Sequence, residues 1–241
     1  MKNIIHFVSL ILLISLVSCT ETELKNIGKE VSNTINGNAG LTNDEVIKGL
    51  KEALTVGSNN SSLTASHVDG YYKNAMIKIL FPPEAATMEQ KLREIGLNQQ
   101  VDNFVMSLNR AAEDAAKQAA PVFKNAVTGM SIADGFAILR GADTAATAYL
   151  RKTTFTQLHD RFKPVIQSAI QQAGVSRYWN PLFTAYDKIP FVTKVNPDLD
   201  EYVTGRALSG LFYLVSQEEV KIRKDPAARI TDLLKKVFGS K

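Results

Sequence analysis

From residue 41 to the C-terminus, apolar residues recur every three or four positions in block after block, and no stretch alternates over four or more pairs. A period of 3.6 puts such residues on one face of a helix, whereas a half-buried strand needs a period of two. That pattern confines the chain to an all-α fold. Thr42-Asn43-Asp44-Glu45 has the form of a capping box, and Val46, Ile47, Leu50, Ala53 and Leu54 continue as one apolar stripe. Gly57 and the Ser/Asn run at 58–62 are expected to end that helix. Residues 67–81 are less regular, with Ile77-Lys78-Ile79 a candidate extended segment before Pro82-Pro83. Pro83 suits the first turn of a helix running to Gly96.

The longest pattern covers 98–120, led by Val101, Phe104, Val105 and Leu108 into an alanine-rich tract, and Pro121 is expected to break or kink it. A short helix over 131–139 follows. Asp143 is the expected cap of a pattern through Tyr149, Phe155, Leu158 and Phe162, which restarts after Pro164 and stops at Gly174. Tyr178, Trp179, Phe183 and Tyr186 gather around Pro181; they read as core packing, with an aromatic binding platform as the alternative. A loop at 189–197 leads to a helix over 199–224, and Asp225-Pro226 starts a terminal helix reaching Gly239. The expectation is a single compact multi-helix domain over 41–239, of roughly nine helices and without a sizeable sheet.

The N-terminus is different in kind. Lys2 precedes an apolar run from Phe7 to Val17, too short for a membrane span, which needs about 20 apolar residues. The run ends in Leu16-Val17-Ser18-Cys19, which resembles the lipoprotein box of bacteria at all four positions. That resemblance implies that residues 1–18 are a cleaved signal peptide and that Cys19 carries lipid, a diacylglyceryl group and an added acyl chain such as palmitate. More than one acyl chain makes an anchor stable. Residues 19–40 read as the lipidated Cys and a polar tether, with a root-mean-square reach on the order of 25 Å. Leu24, Ile27, Val31 and Ile35 fall at helical spacing, so an amphipathic turn or two is the alternative. Thr20, rather than Asp, follows the Cys. By the sorting pattern of two-membrane bacteria this implies a cell-envelope address, anchored in the outer membrane and facing the periplasm.

Cys19 is the sole cysteine of the 241 residues, so its lipidation leaves the domain without disulfides, Cys-ligated metal or a thiol nucleophile. Removing residues 1–18 takes away only Lys2 among the charged side chains, leaving 27 Lys and Arg against 24 Asp and Glu. That balance, with export, argues against a nucleic-acid partner.

Several segments resemble one bacterial family. They are Leu41-Thr42 with Gly49-Leu50-Lys51-Glu52-Ala53-Leu54, Asp69-Gly70-Tyr71, Asn109-Arg110-Ala111-Ala112-Glu113, Pro190-Phe191, Gly210-Leu211-Phe212 with Glu218-Glu219, and Ile222-Arg223-Lys224-Asp225-Pro226-Ala227-Ala228-Arg229 through Leu233-Leu234-Lys235-Lys236-Val237-Phe238. The family is catalogued as domain of unknown function 4197, and its members are exported helical proteins. The similarity spans about 41–239. It implies one domain and an envelope location, and transfers no activity and no functional residues.

Catalytic signatures are sparse. The sequence has no nucleophile elbow, phosphate-binding Gly-rich loop, His-Glu-x-x-His or calcium loop, so no cofactor and no metal is expected. Beyond residue 18 the only histidines are His67 and His159, and His159 reads as a surface or packing group. The candidate polar cluster is Asn109, Arg110 and Glu113, which share a helix face beside alanines that let another helix approach. Turned inward, these groups need partners, and Glu219, Arg223 and Arg229 near the C-terminus are the expected ones. An intramolecular network fixing helix register, a solvated face and a ligand pocket are the three readings. The charge run from Glu218 to Arg229 reads as solvated faces and junction ion pairs. Two functions follow: an envelope lipoprotein with a helical binding or scaffold domain, its partner an envelope protein or an apolar small molecule; or a carboxylate-based hydrolase or lyase around Glu113 and Arg110.

Overall fold

The computed structural model describes residues 42–172, 175–193 and 198–239. The expected signal peptide, Cys19 and the expected tether lie outside the described residues. Nine α-helices occur among the described residues: α1 Asn43–Ser66, α2 Ala86–Glu94, α3 Asn98–Ala116, α4 Ala119–Thr128, α5 Ile132–Arg140, α6 Ala145–Gln172, α7 Val175–Asp187, α8 Leu199–Lys224 and α9 Asp232–Gly239. No strand is present among them. The all-α reading stands.

The starts of α1 and α5 follow side-chain chemistry. Thr42 accepts from the Glu45 N–H while Glu45 reaches back to the Thr42 N–H, and Ser131 and Asp134 repeat the arrangement at α5. Helix ends follow packing instead. The stop expected at Gly57 does not occur, and α1 continues to Ser66. Ser58, Ser61 and Ser62 are buried with hydroxyls donating to Thr55, Gly57 and Ser58 carbonyls of their own helix, so they compete with nothing. Gly57 faces Glu218 and Ile222 of α8, which packs on α1. Ile77-Lys78-Ile79 lies among turns and carries no strand. Asp225-Pro226 starts only a 3-10 turn, Pro226–Ala228, with Asp225 accepting from the Ala227 N–H; the terminal helix begins six residues later. Pro121 sits inside the first turn of α4, the break falling just before it. At Pro164 the chain does not restart: α6 runs through it, and both Pro164 and Asp160, whose carbonyl loses its partner, lie on the exposed side.

Four helices form the centre: α1 and α3 pack together, α8 contacts both, and α6 packs against α3 and α8. Helix α4 bridges α1 and α6, α5 lies on the same pair, and α2 and α7 cover α3. Phe104, Leu108, Ala112, Ala115 and Ala116 of α3 are inaccessible. Phe81, Phe104 and Trp179 meet in tilted contacts with ring centroids 5.0–5.8 Å apart, which makes Trp179 of α7 core. The short α9 lies mainly on α1.

Candidate functional site

The candidate cluster divides into two. Glu113, 4% exposed, faces the turn that follows α1. Its Oε1 accepts from the backbone N–H groups of Tyr71 and Tyr72 at 3.1 and 3.2 Å, and its Oε2 accepts from Arg110 at 2.6 Å. The other arm of Arg110 donates to Asp69 at 2.6 Å, and Lys73 reaches the same carboxylate at 2.8 Å. Asp69 takes a left-handed conformation (φ 71°), and a Cβ on Gly70 would stand 2.2 Å from the Thr64 carbonyl, so only glycine fits there. Glu113 and Arg110 thus clamp a turn the backbone alone disfavours. Lys73 first and Arg110 second hold the Asp69 carboxyl below its ordinary range, and the carboxylates raise Arg110. Burial pushes the Tyr71 phenol upward, and its hydroxyl donates to the Ala207 carbonyl at 2.7 Å.

Asn109 is fully buried and acts separately. Its amide donates to the Ile79 and Val105 carbonyls, and its oxygen accepts from the Ile79 N–H at 2.8 Å. The irregular segment after α1 is therefore tied to α3 at Tyr71, Tyr72 and Ile79.

Glu219 on α8 serves a different element. Its carboxylate accepts from the Ala146 and Thr147 N–H groups at 2.9 and 2.8 Å and from the Thr147 hydroxyl at 2.8 Å. These are orphan donors of the first turn of α6, so a neighbouring helix caps α6 with a full negative charge at its positive end. Arg223 donates Nε and a terminal nitrogen to Glu219 at 3.1 and 2.9 Å, and also to the Ile138 carbonyl. Arg229 donates to the Ile222 and Arg223 carbonyls, closing the C-terminus of α8.

The expected pairing of Asn109, Arg110 and Glu113 with Glu219, Arg223 and Arg229 is not formed. The reason is distance along α8. Tyr71, beside Glu113, touches α8 at Ala207, and Glu219 lies twelve residues further, about 18 Å at 1.5 Å per residue. The sequence reading missed that Glu219 faces a helix N-terminus; the Asp143-x-Ala145-Ala146-Thr147 segment carries no sign of a donor from α8.

The remaining charges make local pairs. His159 meets Glu201 at 3.0 Å, shared with Lys163, and His67 Nδ1 lies 2.7 Å from the Val68 carbonyl. In the run from Glu218 to Arg229, Glu218 accepts from Asn60 and Lys224 pairs with Asp143. Among the described residues no group of three or more His, Cys, Asp or Glu is placed to hold a metal ion, and no helix is long and apolar enough to cross a membrane. Every buried side-chain nitrogen and oxygen among them has a hydrogen-bond partner.

A cleft lies between α1, α6 and α8, walled by residues such as Leu50, Leu54, Leu150, Val215 and Ile222, with Glu219 and Arg223 at one end and Phe238 of α9 across it.

Neither the curated proteins nor the solved structures include a match to this chain. The family model described as "Protein of unknown function (DUF4197)" matches residues 40–239, every helix above, and the chain belongs to that family.

Proposed function

We propose that the protein is a cell-envelope lipoprotein, anchored through acyl chains on Cys19 at the periplasmic face of the outer membrane, whose helical domain is a binding or scaffold module. One observation carries the reading of the domain. Both carboxylates that are buried among the described residues, Glu113 and Glu219, commit their oxygens to backbone N–H groups and to an arginine of the same chain. A carboxylate acting as general acid or base needs an oxygen within reach of substrate, whereas these two hold a turn and a helix end in place. The address rests on Leu16-Val17-Ser18-Cys19 and the apolar run before it.

The test is chemical. The full chain and its Cys19→Ala variant are expressed in a two-membrane bacterium fed an alkyne-bearing palmitate analogue, and the membranes are separated by density. The wild type is expected to carry label and to travel with the outer membrane, and the variant to lose both. An unlabelled wild type refutes the anchor.

A further inference from the structure

The cleft between α1, α6 and α8 is closed on one side by Phe238 of α9. It is partly open to solvent and its cavity volume is about 30 Å³, more than the roughly 10–15 Å³ that one water molecule needs. Along α1 the lining runs from Leu50 to Ser58, about 12 Å at 1.5 Å per residue. Ala53, Gly57 and Ala146 are too small to fill it, so it is a narrow aliphatic slot with one aromatic ring laid across it. Glu219 and Arg223 at its end neutralise each other, so nothing inside calls for an ionic ligand.

The covering helix is weakly held. At eight residues α9 is far shorter than the 12–15 an isolated helix needs in water. Its Leu234 belongs to a small cluster with Ala53 and Ile222, apart from the main core. Arg229, buried and bonded to the last carbonyls of α8, pins the chain just before it, and Ile230 beyond is exposed. A hinge at 230–231 lets α9 move while α8 stays intact, and elements with few buried contacts open at a small fraction of the global free energy.

We propose that α9 is a hinged lid and that the slot beneath it takes the alkyl chain of a single-chain amphiphile, with the polar head in water at the mouth that Phe238 vacates. The proposal deepens, and rests on, the reading of the domain as a binding module. Withdrawal of Phe238 leaves a space one side chain wide, continuous with the aliphatic slot, which fits a chain of methylenes rather than a fused ring system.

The lid can be locked. A Cβ on Gly49 would lie 3.3 Å from the Val237 Cβ and 3.2 Å from the Leu233 side chain, slightly closer than the roughly 3.5–4.5 Å usual in a disulfide, so Leu233 must give by a few tenths of an ångström. The full chain carrying Cys19→Ser, Gly49→Cys and Val237→Cys has two thiols and no attached acyl chain to fill the slot. The probe is radiolabelled dodecanoate, read by equilibrium dialysis, with unlabelled dodecanoate as competitor. Saturable binding displaced by dodecanoate is expected in the reduced protein. Oxidation is expected to weaken it about tenfold or more, with recovery on reduction. Phe238→Ala in the Cys19→Ser background is expected to bind at least as tightly as its parent. Equal affinity in the oxidised and reduced forms, or no saturable binding in the reduced form and the Cys19→Ser parent, overturns the proposal. Either result leaves the anchored-scaffold reading intact, since that depends on Cys19 and not on the slot.

Discussion

The sharpest test of the helix-end clamp is Glu219→Ala. The substitution removes the acceptor for two N–H groups and the Thr147 hydroxyl at the start of α6, and strips Arg223 of its carboxylate. Loss of an N-cap alone costs about 1 kcal/mol. Removing one member of a buried ion pair costs about 3–5 kcal/mol, because the other charge stays in place. Arg223 is 13% exposed and keeps the Ile138 carbonyl, which sets the expected total near the lower end, about 3–4 kcal/mol. For a domain of this size that is a fall in Tm of about 6–16 °C. Urea titration followed by far-UV circular dichroism gives the free energy directly. Glu219→Ala with Arg223→Ala should cost less than the sum of the single changes by about 1–3 kcal/mol, since the orphaned charge has gone. A single-variant loss below about 1 kcal/mol refutes the clamp as a stabilising device.

Two further outcomes are expected. Asn109→Leu leaves the Ile79 N–H and C=O buried without partners and should lower stability by about 2–4 kcal/mol in the same titration; a neutral result would mean the segment is not tied there. The Asp69 carboxyl, held low by Lys73 and Arg110, has a folded pKa below its ordinary 3.8. Its contribution is therefore complete above the unfolded value and is lost as pH falls through the folded one. Urea midpoints should drop as pH falls below about 5 and continue to drop past 3.8, less steeply in Asp69→Asn; equal slopes refute the assignment.

The beginnings of α1 and α5 were legible because their chemistry is local. Thr42 with Glu45 and Ser131 with Asp134 satisfy the first N–H groups within four residues, so spacing alone reveals them. The end of α1 was illegible because the three serines are helix breakers only when water or other backbone competes, and their burial excludes both. Pro164 misled for the opposite reason: the carbonyl it frees meets solvent, so the helix tolerates the ring. The same division holds at the site. Glu113 with Arg110 is an i, i+3 pair visible in sequence. Its partners Tyr71 and Asp69, like the donors to Glu219, lie 41–44 or more than 70 residues away, where only tertiary packing brings them. Composition marked Glu219 as charged and could not say that it faces a helix dipole.

The Glu219 bond to α6 has a consequence in time. The N-terminus of α6 is completed by a residue 72–73 positions further along the chain, and α1 is covered by α9 from the opposite end of the domain. These loops are long, so their closure entropy must be met before the contacts return anything, and folding waits for the last helices to emerge. A nascent chain of this design stays open until it is nearly whole. On the proposed export route, in which the chain crosses a membrane as a thread, that delay keeps the domain threadable up to the moment it is released.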